Sequence, residues 1–131
     1  MRYLLDTHVW LWWQAEPERL GSKARRLLED SGTALLFSAA SAWEISIKCK
    51  LGKLELKGNP ESLVPAELAK DGIVVLPVSL AHALRAGGLP PHHQDPFDRL
   101  LIAQAQLDNL TLVTADPKFS GYKVHLFNAE T

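Results

Sequence analysis

Short apolar runs alternating with longer helical patterns constrain this chain more than any other feature. The runs lie at 3–5, 34–37, 73–76, 111–113 and 124–127, and several are rich in leucine or β-branched residues. Between them, helical patterns cover 7–14, 22–30, 39–51, 61–71, 79–87 and 96–108. The segment 22–30 opens with Ser22 and carries Ala24, Leu27 and Leu28 at i, i+3, i+4 spacing. Gly72, just ahead of Ile73, suits a helix C-terminal cap that hands over to a strand. Neighbouring parallel strands need crossover connections, which helices provide, so the expected fold is α/β with a mainly parallel five-stranded sheet flanked by helices. No repeat, linker or shift in composition divides the chain, and residues 1–131 are expected to form one domain, with surface loops at 51–60 and 87–94.

Composition narrows the class. Hydrophobic residues make up 47% and charged residues 22%, which excludes a disordered chain. The 14 Lys+Arg and 15 Asp+Glu nearly cancel to a net charge of −1, so no global basic excess signals nucleic acid or membrane. A single cysteine, Cys49, forms no internal disulfide and no cysteine-based zinc site, which suits a reducing compartment. Asp6 arrives too early for a signal peptide, and no apolar run approaches the ~20 residues of a membrane span. A cytoplasmic protein without membrane contact is the expectation.

Four acids fall where expected strands exit into helices: Asp6, Glu44, Asp98 and Asp116. Each has a purely structural account. Ser41-Ala42-Trp43-Glu44 matches a capping box. Asp95 followed by Pro96 reads as an N-cap with proline at the first helical position, leaving Asp98 as a first-turn acid. Asp116-Pro117 reads the same way, and Asp6 could cap the first helix. Together they mean more, because a parallel sheet gathers its strand exits along one edge, where ligands of such sheets bind. Two carboxylates ~4 Å apart repel by about 4 kcal/mol at an effective dielectric of 20. Such a cluster calls for raised pKa values or a divalent cation, and all-oxygen ligands favour Mg²⁺ or Mn²⁺. That chemistry is metal-assisted phosphodiester hydrolysis, and no competing covalent nucleophile stands out.

These residues carry a resemblance. Tyr3-Leu4-Leu5-Asp6-Thr7-His8, Ser41-Ala42-Trp43-Glu44-Ile45, Leu51-Gly52-Lys53-Leu54, His93-Gln94-Asp95-Pro96-Phe97-Asp98-Arg99-Leu100-Leu101-Ile102-Ala103-Gln104-Ala105 and Leu112-Val113-Thr114-Ala115-Asp116 together resemble PIN-domain proteins, more narrowly the VapC-type ribonuclease toxins of prokaryotic toxin–antitoxin pairs. The resemblance implies a single PIN domain over 1–131 and an endoribonuclease dependent on Mg²⁺ or Mn²⁺. Its partners would be an RNA substrate, a cognate antitoxin and a second copy of the chain in a homodimer. It implies Asp6 and Asp98 as principal metal ligands, with Glu44 and Asp116 completing the pocket directly or through water. Thr114 would orient a water or phosphate oxygen. Apart from the resemblance, Asp95 is read first as the N-cap, with support of Asp98 as its functional version, and Arg99 as screening acids or packing its stem, with phosphate contact as the alternative.

Other residues carry weaker expectations. His92 and His93 adjoin in a loop and, with no matching zinc ligands, are expected in solvent. His8 could sit at the pocket rim. Trp10, Trp12 and Trp13 cannot all face one core, which leaves an edge or a partner-binding patch. Lys48, Lys50, Lys53 and Lys57 read as a solvated helix end, with RNA-backbone contact as the functional version. Two other enzyme-like or signalling readings fit less well. An aspartyl phosphatase wants a second acid where His8 stands, and a receiver domain wants an acid after Leu76, where Pro77 stands. A housekeeping RNA-processing nuclease and a non-catalytic acidic-pocket module remain the alternatives.

Overall fold

Successive residues of a strand face opposite sides of its sheet, and Leu4 and Leu5, both fully buried, point into two different cores. A computed structural model describes all 131 residues. Its elements run β1 (Arg2–Leu5), α1 (Thr7–Ala15), α2 (Ser22–Glu29), β2 (Ala34–Ser38), α3 (Ala39–Lys50), α4 (Pro60–Lys70), β3 (Val74–Leu76), α5 (Leu80–Gly88), α6 (Pro96–Leu107), β4 (Thr111–Thr114) and β5 (His125–Asn128). Short 3-10 turns lie at Pro17–Arg19 and Pro117–Gly121. The five strands form one sheet in the order β3-β2-β1-β4-β5, and every pairing is parallel. The mainly parallel sheet expected from the alternation is therefore wholly parallel.

On one face, Leu5, Leu35, Phe37 and Val113 pack against Val9 and Trp10 of α1, Ala24 and Leu28 of α2, and Val64 and Leu68 of α4. On the other, Leu4, Leu36 and Leu112 pack against Leu101, Ile102 and Ala105 of α6 and against Phe119 and Tyr122. The Trp10 and Phe37 rings meet 5.0 Å apart at the centre of the first core. Trp12 and Trp13 remain partly exposed, with the Arg19 guanidinium 4.4 Å from the Trp12 ring centre. All three tryptophans thus lie against the first core, but only Trp10 is fully buried in it.

Helix ends follow the sequence. Gly72 takes φ 68°, and after α4 its N–H reaches the Ala69 carbonyl while the Ile73 N–H reaches that of Leu68. This is a Schellman cap, with Ile73 and Leu68 packed in the same core. Asn109, at φ 54°, closes α6 by the same reversal. Element boundaries differ from expectation by no more than one residue, within the scale on which helix ends fray. No helix is long and apolar enough to cross a membrane.

Candidate metal centre

Register sets the floor of the site. Leu5 of β1 is level with Phe37 of β2 and Val113 of β4, so the next residues, Asp6, Ser38 and Thr114, stand side by side at the carboxyl edge of the sheet. The chain leaves β1 toward β2 and β3, then returns to β1's other side with β4 and β5. This reversal of strand order opens a crevice above β1 and β4. Asp6 occupies it, its N–H bonded to the Val113 carbonyl at 3.0 Å and only 4% exposed. Beside it, a cavity of about 280 Å³ is lined by Asp6, His8, Trp12 and Ala115-Asp116-Pro117.

Two helices bring the other acids. Glu44 projects from the second turn of α3 and is 2% exposed. Asp98 lies in the first turn of α6, its side chain 14% exposed. Trp43 and Phe97, each one residue before its acid, meet edge to face at 5.4 Å and tie α3 to α6. Asp116 follows β4 at the start of a 3-10 turn.

The structural accounts of these acids divide. Asp95 is the N-cap of α6, taking the N–H groups of Phe97 and Asp98 on Oδ1 at 2.9 and 3.0 Å. Asp116 Oδ1 does cap its turn, accepting from Lys118 N–H. The capping box at Ser41 and Glu44 is absent. Ser38 caps α3 instead, accepting from Ala40 N–H, because the helix begins three residues earlier than that box requires. Ser41 Oγ accepts a hydrogen bond from the Thr7 hydroxyl at 2.7 Å. Asp6 stands at the N-cap position of α1, yet its side chain makes no capping bond. Glu44 and Asp6 are thus buried acids with no capping duty.

Each is held by one oxygen and bare on the other. The Thr114 hydroxyl donates to Asp6 Oδ2 at 2.7 Å, and Lys48 Nζ donates to Glu44 Oε2 at 2.8 Å. Asp6 Oδ1 and Glu44 Oε1 are buried without a hydrogen-bond partner. Burial pushes the Asp6 carboxyl above its ordinary range, with Glu44 and Asp116 adding to the effect and Thr114 and His8 opposing it. Asp98 is pushed up to about 8, chiefly by burial, then by Asp6, Asp95, Glu44 and Asp116. Acids that perturb one another in this way share one electrostatic site. A cation among them would satisfy the orphaned oxygens and relieve the repulsion, so the donor set fits a hard divalent metal.

The PIN-domain sequence profile matches residues 3–124. The chain belongs to the PIN-domain family. Over 121 residues it is 31% identical to ribonuclease VapC22 of Mycobacterium tuberculosis, covering 92% of this chain and 91% of that protein. Ribonuclease VapC16 of the same organism is 39% identical over 71 residues, 53% of this chain, and the chain spans about half, 50%, of that relative's length. Among solved structures, the fold is similar to VapBC2 from Rickettsia felis bound to a promoter DNA fragment, with TM-score 0.70, 20% identity and 98% of both chains covered.

Within this PIN domain, three sequence expectations need correction. His93 is not in solvent: it is buried, and its Nε2 lies 2.8 Å from Asp98 Oδ2 and 3.3 Å from Asp116 Oδ2. Only His92 is exposed. Lys48 is not part of a solvated helix end, since its ammonium enters the acid cluster. Burial there works against its charge, but Glu44 first, then Asp95 and Asp98, raise its pKa above the ordinary value. One cation therefore is positioned locally, and the i, i+4 spacing from Glu44 to Lys48 was the signal for it. Arg99 neither screens acids nor offers itself to phosphate. Its guanidinium is spent on the carbonyls of Leu89, Pro90 and His93, at 2.7, 3.0 and 3.1 Å. Such carbonyls, left bare by a tight loop, attract a fixed cation.

Proposed function

We propose that this PIN-domain chain is a metal-dependent endoribonuclease and the toxin of a toxin–antitoxin pair. It would cut RNA in the cytoplasm with Mg²⁺ or Mn²⁺ and be held inactive by a cognate antitoxin. The observation that carries the reading is the convergence of Asp6, Glu44, Asp98 and Asp116, with Asp6 Oδ1 and Glu44 Oε1 buried and bare. Two relatives named as ribonucleases support the activity. The toxin–antitoxin complexes among its structural neighbours share the fold.

Asp6 and Asp98 would hold the metal, with Glu44 and Asp116 completing its surroundings. When bound, the ion supplies a Lewis acid for a phosphodiester oxygen and lowers the pKa of an attacking water. The chain's own groups do the positioning. Thr114 fixes the rotamer of Asp6 and also accepts the Asp116 N–H at 3.0 Å, so one hydroxyl sets the spacing of two acids. Lys48 fixes Glu44 and offsets part of the cluster's negative charge, which otherwise repels an RNA backbone. Asp95 orients the first turn of α6 and hence Asp98.

The chain purified free of antitoxin should cleave RNA with Mg²⁺ or Mn²⁺ and stop when the metal is chelated. Asp98→Asn keeps the shape of the side chain and removes its charge, so it should abolish cutting with the fold intact. Expression of the wild-type chain should arrest growth and that of Asp98→Asn should not. Cleavage without growth arrest would point to a housekeeping RNA-processing nuclease, and full activity in Asp98→Asn would remove the metal-ligand assignment.

A further inference from the structure

His93, Asp98 and Asp116 place a ring nitrogen and two carboxylate oxygens within 4.8 Å of one another, an arrangement that resembles a three-ligand metal site. The other side of the His93 ring argues otherwise. The Asp95 backbone N–H points at His93 Nδ1, 3.3 Å away. An amide can only donate, so Nδ1 is the acceptor and carries no proton. A neutral imidazole has one N–H, which then sits on Nε2. A histidine that ligates metal through Nε2 has the reverse pattern, with Nδ1–H given to a carbonyl or carboxylate.

The ring is also built in. His93 N–H donates to the Tyr122 hydroxyl at 2.8 Å, and that hydroxyl donates to the Pro90 carbonyl at 2.6 Å. The His93 carbonyl accepts from Arg99, and the ring packs edge to face on Phe119 at 5.5 Å. Moving the ring proton to Nδ1 would set an N–H against the Asp95 N–H and leave a bare Nε2 facing two carboxylates.

We infer that His93 is a positioning residue whose Nε2–H clamps Asp98 to Asp116, and that it is not itself a metal ligand. This rests on the metal-centre reading of the four acids and completes its pattern. Thr114 holds Asp6, Lys48 holds Glu44, and His93 holds the remaining pair. The clamp spans α6 and the turn after β4, which the hydrogen bonds of the sheet do not join. Neither Nε2 contact has the alignment of a full hydrogen bond, as expected of a site whose bonds tighten when it is loaded.

Long-range proton–nitrogen NMR of the histidine rings tests the tautomer directly, in the metal-free chain and again with Mg²⁺. A proton on Nε2 and none on Nδ1 in both samples supports the clamp, whereas a proton on Nδ1 in either overturns it. Calorimetric Mn²⁺ titration of two variants adds a second arm. His93→Ala should bind Mn²⁺ roughly 10–100-fold more weakly, the usual effect of losing a group that orients a ligand. His93→Gln restores an N–H near the position of Nε2 and should recover most of that loss. Equal weakening in both variants would make the ring a ligand, and unchanged binding in His93→Ala would leave the clamp without effect. If the wild-type chain takes up no Mn²⁺, the metal-centre reading fails, while the tautomer in the metal-free sample still decides the clamp.

Discussion

Asp98 shows how far a single side chain departs from its solution chemistry. Its carboxyl ionises near 3.8 when free and at about 8 in the fold, mainly through burial and then through Asp6 and Asp95. The folded chain therefore holds a proton that the unfolded chain has released, and the metal-free protein loses stability as pH rises from about 4 through 8. Melting temperatures of the metal-free chain should fall across that window, and Asp98→Asn should flatten the slope. A divalent ion must displace the same proton, so Mg²⁺ affinity should climb with pH up to about 8 and then level, with proton release seen by calorimetry in buffers of different ionisation heat. Thr114 gives a second prediction at this scale. Thr114→Val keeps the volume but removes the hydroxyl bonded to Asp6 Oδ2 and to Asp116 N–H. It should weaken Mn²⁺ binding by about 10-fold or more, with Thr114→Ser recovering most of the loss. Wild-type affinity in Thr114→Val would show that Asp6 needs no such support. The four acids were legible in the sequence as strand-exit residues. His93 was not, because its role depends on a loop held by Arg99 and Tyr122, contacts that no local pattern encodes.

Elements were easier to read than their junctions. Asp95-Pro96 announced the start of α6, and the structure places the Asp95 side chain on two backbone N–H groups. At Glu44 a capping account competes with the pocket account, because Ser41 three positions earlier fits the capping-box pattern. The helix begins after Ser38, where the strand ends and where the helical pattern over 39–51 places it, so the Ser41 motif falls inside the helix and caps nothing. The N-cap of α6 carries its own prediction. Asp95→Ala removes both capping bonds and should destabilise the chain by about 1 kcal/mol, within the usual 0.5–2 range. Removing the Asp95 charge also takes away one of the causes that raise the Asp98 pKa, so the pH dependence of melting should become shallower. Asp95→Asn separates the two effects, since the amide oxygen still caps while the charge is gone. Thermal denaturation of both variants between pH 5 and 9 checks this, and an unchanged slope in both would show that Asp95 acts on Asp98 through geometry alone.

At the scale of the whole molecule, parallel order explains why distant acids meet, and it also leaves an edge uncovered. β3 ends the sheet, and its Val74 and Val75 are exposed, as are Val78 before α5 and Leu80 and Leu84 on it. Half of the chain's large exposed apolar side chains thus fall within eleven residues, 74–84. An isolated exposed leucine is ordinary, whereas an edge strand and a helix face exposed in one short segment invite association. The tryptophans of α1 had suggested a partner surface, but Trp10 is buried and Trp12 is partly covered by Arg19, so the stronger exposed segment lies elsewhere. The sequence shows Ile73 to Leu76 only as an apolar, strand-like run; the strand order shows it to be an edge. The homodimer that the family resemblance implies should therefore be carried by the segment 74–84. Light scattering of the purified chain should give twice the monomer mass. Leu80→Glu combined with Leu84→Glu places two charges where that contact would be dry, and should yield monomers whose melting no longer depends on protein concentration. Their Mn²⁺ affinity should stay near that of the wild type, because neither leucine lies among the four acids. A wild-type chain that is monomeric at every concentration would remove the dimer, and a variant that still dimerises would move the interface off this segment.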